Sequence, residues 1–331
     1  MQMDLRTVTI APQRQTYGHV ARYLGGDKPA SRYQEGTIGL QTTGNQHYRP
    51  LWDPSHEFFD ETRTRINMED WYAFRDPRQY YYGSYVIARA KQQDAAEAAF
   101  DFVETRGLAA TLPAELRQLT LDLLLPLRHV AWGGSMNNEF AAAYGYGTGI
   151  TQPLLYYAMD QLGIAQFNTR VGLLFGDPEA LNVAKAAWLD DLAWQSLRRL
   201  VEDLFVEQDW FELFVAQDLV LDGLLYPLVY QTIIEGELTR LGGAAVAMVT
   251  QFQSDWFVET RKWVDAQIRA ACADNGENAC QIGEWIAKWK PRAAAALLPV
   301  AQPVLGSRAE AVMEGLCGTL DARTAKMGVA I

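Results

Sequence analysis

From about residue 55 onward, apolar residues recur at intervals of three and four over stretches of twenty residues and more. Such spacing marks one face of an α-helix, and faces that long are buried by packing helix on helix. The clearest stripe is Leu189, Leu192, Ser196, Leu197, Leu200, Val201, Leu204 and Phe205. Two segments, at about 209–239 and 243–272, are apolar on more than one face, which puts them at the centre of a bundle. No parallel-strand pattern, internal repeat or low-complexity tract competes. The expected class is all-α, a bundle of long helices rather than a solenoid.

Proline, glycine and capping residues divide this pattern. Ser55 can cap a helix entering at HEFFDETRTRI, and Asp76-Pro77 breaks the chain before a run that ends at Gly107. Leu112-Pro113 opens the next helix, with a kink expected at Pro126. Gly145-Tyr146-Gly147-Thr148-Gly149 is a turn, and a helix follows from Gln152 to about Phe175. Asp177-Pro178-Glu179 is a capped start. The section 278–328, interrupted by Pro291, Pro299 and Pro303, reads as a short helical hairpin. Residues 1–55 carry no lasting helical stripe and read as an extended arm. Its aromatics, Tyr17, Tyr23, Tyr33, Tyr48 and Trp52, favour an arm laid on a partner over disorder. The domain reading is an N-terminal arm (1–55) and one helical domain (56–331), with a core at about 56–275 and the C-terminal hairpin at about 278–328.

The formal net charge of −11 disfavours nucleic acid as a partner, because phosphates call for a basic patch. The most apolar stretch, Leu213 to Ile234, is nearly long enough to span a bilayer. It contains Gln217, Asp218 and Asp222, so a core helix is the better reading and no membrane partner is expected. The N-terminus MQMDLRTVTI has no apolar run of a secretory signal. Three cysteines without a CxxC point to reduced thiols in the cytoplasm and away from zinc.

Histidine limits the chemistry. There are four, His19, His47, His56 and His129, and three lie in the first 60 residues. No GxSxG elbow or GxxxxGK loop follows a strand, so hydrolase and phosphate-loop readings lack support. Gly134-Ser135 reads as a close helix contact. Asp190-Asp191 lacks the last acid of a DDxxD magnesium motif and reads as a pair of solvent-facing carboxylates. A carboxylate-bridged di-iron centre in a helical bundle takes Glu-x-x-His pairs from two helices, since positions i and i+3 project to one side. Only His56 has an acid three residues earlier, in Asp53-Pro54-Ser55-His56, and that lies in a proline loop. Two histidine ligands cannot be assembled from the bundle.

The stretches YYYGSYVIARAKQQDA, HVAWGGSMNNEFAAAYGYGTG, YAMDQLGIAQF and SDWFVETRKWVDAQI resemble the hydroxylase β subunit of bacterial multicomponent monooxygenases, above all the phenol hydroxylase branch. The resemblance covers about 50–290 and rests on the combined pattern. It implies a ferritin-like bundle acting as a non-catalytic, cofactor-free subunit of a cytoplasmic (αβγ)2 hydroxylase. In that assembly the α subunit holds the di-iron centre and oxidises phenol or related aromatics with O2. A reductase with FAD and an Fe–S cluster supplies electrons from NADH, and a regulatory protein docks.

The same resemblance aligns Met159-Asp160-Gln161-Leu162-Gly163-Ile164 with the α subunit's acid-Glu-x-x-His element. Gln161 and Ile164 then stand at vacated ligand positions, and Ala131 stands at the glutamate of the preceding helix. Gln217 and Gln253 are further candidates. With the ligands gone, the centre is expected to pack apolar. Tyr48 and Trp52 of the arm, with Trp71, Tyr80, Tyr81 and Tyr82, are candidates for the α contact; the other reading of the 71–82 group is internal core. A stand-alone all-α di-iron oxidase and an unrelated helical scaffold remain the alternatives.

Overall fold

The structure is a computed structural model and describes residues 16–26, 29–42, 49, 51 and 53–330. Tyr48 and Trp52 therefore lie outside the described residues. Among the described residues there is no strand. Two short helices, α1 (Gly18–Leu24) and α2 (Arg32–Glu35), precede the bundle. Its helices are α3 (Tyr82–Thr105), α4 (Leu108–Thr111), α5 (Ala114–Tyr144), α6 (Thr148–Phe175), α7 (Pro178–Asp190), α8 (Leu192–Leu204), α9 (Trp210–Leu238), α10 (Ala244–Val249), α11 (Gln251–Asp274), α12 (Gly276–Leu305) and α13 (Ala309–Ala325).

Helix α9 is the axis of the core. Asp209 caps it, its carboxylate accepting from the Phe211 and Glu212 amides. The helix is long and apolar enough to cross a membrane, yet it is almost wholly buried by its neighbours. Two of its stretches, Val215–Leu221 and Pro227–Leu238, are wound wide, as π-helix. The second begins at Pro227, which has no amide proton to give to a tighter turn.

Helices α5 and α6 form the main antiparallel pair, joined by a turn in which Gly147 takes a φ of 87°. Small residues set their approach. A side chain at Gly172 would strike Leu125, and one at Gly134 would crowd Gln161. The same contacts fix the register, which puts Ala131 level with Ile164 and Met136 level with Met159.

The structure departs from the sequence reading in four places. No α-helix forms at HEFFDETRTRI; only the single turn Glu61–Arg63 is helical, capped by Asp60 rather than Ser55. The stripe from Leu189 to Phe205 is split, because Asp191 leaves helical geometry and caps α8 by accepting from Ala193. Asp191 is thus a cap and not a mid-helix carboxylate. Third, α12 continues unbroken through Pro291, Pro299 and Pro303. A proline removes one helical bond and bends the axis, but packing of Trp285, Trp289, Leu297 and Val300 on the core retains the helix.

The fourth departure is the arm. Its described part folds back on its own chain. Tyr33 is buried and its hydroxyl accepts from the Asp76 amide at 2.7 Å. Val20 is fully buried. Gln152 donates to the Gly36 carbonyl, and the Gly147 amide donates to Gln41. Of the aromatics that suggested a partner for this segment, Tyr33 is thus satisfied within the chain, while Tyr17 and Tyr23 stay exposed.

Candidate functional site

The wide turns of α9 put polar side chains into the middle of the bundle. Gln217 and Asp222 are five residues apart, and i→i+5 winding stacks them, so Gln217 Nε2 donates to Asp222 Oδ1 at 3.1 Å. From α6, Tyr157 donates its hydroxyl to Asp222 Oδ2 at 2.5 Å and Gln161 Nε2 donates to the same oxygen at 3.0 Å. Tyr226 donates to Gln161 Oε1 at 3.2 Å. From α5, Asn137 donates to Gln217 at 3.0 Å and Asn138 donates to Asp218 Oδ1 at 2.9 Å. All of these side chains are buried.

Burial raises both acids. Asp222 is pushed up to about 7 by desolvation, against the lowering effect of its three donors. Asp218 has one donor, and burial together with the charge of Asp222 holds it well above the usual carboxylate range. Asp218 Oδ2 and Asn138 Oδ1 have no hydrogen-bond partner. A proton retained on Asp218 relieves the cost of a second buried charge beside Asp222.

Two smaller groups flank this centre. Asn168 Oδ1 accepts from Gln253 Nε2 at 3.2 Å and from the Tyr230 hydroxyl at 3.4 Å. Asp160 is bound by Arg89 and accepts from the Trp256 indole at 2.9 Å and the Tyr85 hydroxyl at 2.8 Å.

The sequence candidates separate accordingly. Ala131, Gln161 and Ile164 are all buried at one level of the α5/α6 pair. Gln161 and Gln217 meet on Asp222, while Gln253 sits apart with Asn168. The centre does not pack apolar as expected: amides, hydroxyls and two aspartates fill it. His129 is on α5 but stacks on Trp188 at 5.5 Å, away from this centre. His56 pairs with Asp53 in its loop at 2.9 Å. Trp71 is core, in ring contact with Tyr146 and Trp210. That removes it from the surface candidates. Tyr80 lies under the guanidinium of Arg78, Tyr81 is half-buried, and Tyr82 is 67% exposed.

Asp218, Asp222 and the Asn137-Asn138 pair were not singled out as a site from the sequence. The available signal was acids and amides placed inside otherwise apolar helical runs, which is costly unless they bond to one another.

The family model for methane/phenol/alkene hydroxylases matches residues 52–275. The chain belongs to that family. It is 51% identical, over 92% of both chains, to the oxygenase component DmpL of phenol 2-monooxygenase from Pseudomonas sp. strain CF600. It is 22% identical to the hydroxylase component subunit beta of the toluene-4-monooxygenase system of Ectopseudomonas mendocina, over 69% of this chain and 70% of that one. The xenon-pressurised crystal structure of phenol hydroxylase from Pseudomonas sp. OX1 contains a chain that superposes with a TM-score of 0.90, at 42% identity and 98% coverage of both. The all-α fold is the helical hydroxylase fold, and this chain is a hydroxylase subunit.

A di-iron centre is the cofactor such hydroxylase complexes carry. The buried centre here does not fit one. Such a site takes carboxylates and imidazoles converging from several helices. Asp218 and Asp222 come from one helix; both oxygens of Asp222 accept from amide and phenol donors, and Oδ1 of Asp218 accepts from Asn138. Among the described residues no three His, Cys, Asp or Glu side chains converge.

Proposed function

We propose that this chain is a non-catalytic, structural subunit of a hydroxylase that oxidises phenol or a related aromatic with O2. In this reading the di-iron centre sits on a partner chain, and the complex has the composition (αβγ)2 in the cytoplasm. A reductase carrying FAD and an Fe–S cluster would pass on electrons from NADH, and a regulatory protein would dock on the assembly. Residues 56–331 act as one helical domain and residues 1–55 as its arm.

The observation that carries the proposal is the content of the bundle centre. Where an iron-binding bundle needs anionic and imidazole ligands, Ala131 and Ile164 are apolar, and Gln161 is a neutral amide already bonded to Asp222 and Tyr226. The chain's contribution is stiffness, since a metal site held by a neighbouring chain works only when its supporting helices are fixed. Relatives named as phenol and toluene monooxygenase components support the substrate class. The test is to purify the complete hydroxylase, separate its chains and assign iron to each. We expect the iron on the partner chain and none on this one; about two irons per copy of this chain would overturn the reading.

A further inference from the structure

We propose that the cleft between α5, α7, α8 and α12 is a binding site for a small, neutral aromatic that carries a hydroxyl, with phenol as its simplest occupant. The inference goes beyond the subunit reading and does not depend on which chain holds iron.

The cleft has a volume of about 340 Å³. Its floor is apolar and buried, formed by Leu123 and Pro126 of α5, Ala184 of α7, Trp194 of α8 and Val300 of α12. On α7 the space is left by two alanines, Ala184 and Ala187, which lie three apart on one helix face. An apolar cavity of about 150 Å³ already stays dry and takes up benzene. This cleft has room for a substituted ring and falls within the size of small-molecule sites.

The rim supplies hydrogen-bond acceptors. Pro126 and Pro303 have no amide proton, so the carbonyls four residues back, on Asp122 and Pro299, lose their usual helical donors. Asp122, Pro299 and both prolines line the cleft. Asp122 and Pro303 are exposed, which places these acceptors towards the mouth. Water can bond to the carbonyls but leaves the apolar floor wet. A ring with one hydroxyl covers the floor and donates to a carbonyl at once.

Charge selects among aromatics. No lysine, arginine or histidine lines the cleft. Arg128, two residues beyond Pro126, donates instead to the Leu181 carbonyl. The carboxylates at the rim are those of Asp122, which accepts from Gln118, and Asp191, which accepts from the Ala193 amide. A benzoate would meet two negative charges and no cation. A phenol is neutral at neutral pH, since such hydroxyls ionise near pH ~10. A plain hydrocarbon leaves both carbonyls without a donor. Trp194 offers the ring an aromatic surface to pack on.

The experiment soaks crystals of the complete hydroxylase in para-bromophenol and locates bromine by its anomalous signal. Bromine should appear in the cleft. Ala187→Phe, which fills the space, should remove that bromine while leaving any on the catalytic chain. Bromobenzene, which lacks the hydroxyl, should need a concentration about tenfold higher for the same occupancy. In solution, equilibrium dialysis with radiolabelled phenol should find about one phenol more per copy of this chain in wild type than in Ala187→Phe. If Ala187→Phe does not assemble, Val183→Phe at the half-exposed rim takes its place. A cleft without bromine, holding water alone at its carbonyls, overturns the proposal. Equal phenol counts in dialysis mean binding at crystal concentration only and overturn it as well. Equal occupancy by bromobenzene overturns the selection for a hydroxyl. Iron found on this chain would sink the subunit reading and leave this site standing.

Discussion

Arg89 forks onto Asp160: Nε donates to Oδ1 at 2.8 Å and Nη2 to Oδ2 at 2.7 Å, joining α3 to α6. Trp256 of α11 and Tyr85 of α3 bond to the same carboxylate, and Glu259 of α11 pairs with the guanidinium. Three helices thus meet on one buried ion pair, bidentate and fully hydrogen-bonded. Arg89→Met leaves Asp160 without its cation in the interior, so we expect a loss of about 3–5 kcal/mol. Arg89→Met with Asp160→Asn should lose less than the sum of the two single changes. Denaturant unfolding of the four proteins measures this. Additive losses would show that the two residues act independently.

Asp222 makes stability depend on pH in a stated direction. Its folded pKa, about 7, lies above the ordinary value of 3.8, so the folded chain holds a proton that the unfolded chain has released. The slope of unfolding free energy against pH is then negative: the contribution is present below about 3.8 and lost as pH rises through about 7. That rise corresponds to roughly 4 kcal/mol at most. The groups facing Asp222 are Tyr157 and Gln161 of α6 and Gln217 of α9, with Asp218 on its own helix. Asp222→Asn removes this titration. Wild type minus Asp222→Asn should therefore be more favourable at pH 4.5 than at pH 8 in thermal unfolding. A difference that does not change with pH would place Asp222 in its ordinary range.

These two centres also mark how far the sequence could be read. The helices were legible because periodicity is local: α9 was expected at about 209–239 and is found at Trp210–Leu238. The level of Ala131, Gln161 and Ile164 was legible from the resemblance. Arg89 and Asp160 lie 71 positions apart, and Asn138 and Asp218 lie 80 apart. No local pattern pairs residues at such distances. The expectation of an apolar centre failed for the same reason, because the partners of Asp222 come from a second helix. The prolines of α12 misled because a proline's local preference is weaker than a long buried face.

His129 works in the opposite sense to Asp222. Burial, with Arg128 and Lys185 nearby, lowers it to about 4 from its ordinary 6.5. The unfolded chain then binds the proton first, so stability is lost as pH falls through the window from 6.5 to about 4. His129→Phe retains a ring to stack on Trp188 and cannot titrate. The melting temperature of wild type relative to His129→Phe should fall between pH 7 and pH 4.5. Parallel curves over that range would count against a buried, neutral imidazole.

Two glycines of α6 should respond to alanine in opposite directions. At Gly149 an added Cβ would lie 2.5 Å from the Phe74 carbonyl oxygen. That atom is backbone and cannot rotate away, so the 71–77 segment must shift off α6, at about 1–3 kcal/mol. That segment carries Trp71 and Phe74 into the core and Asp76 onto Tyr33, so the strain reaches the folded part of the arm. At Gly163 a Cβ would meet nothing within 4 Å. There the change replaces a flexible residue in mid-helix with the best helix former, which should stabilise the isolated chain by about 0.5–1 kcal/mol. Melting temperatures of Gly149→Ala and Gly163→Ala beside wild type test the pair. If Gly149→Ala melts with wild type while Gly163→Ala melts higher, helix propensity is acting as described and the close approach of Phe74 to α6 is not required for the fold.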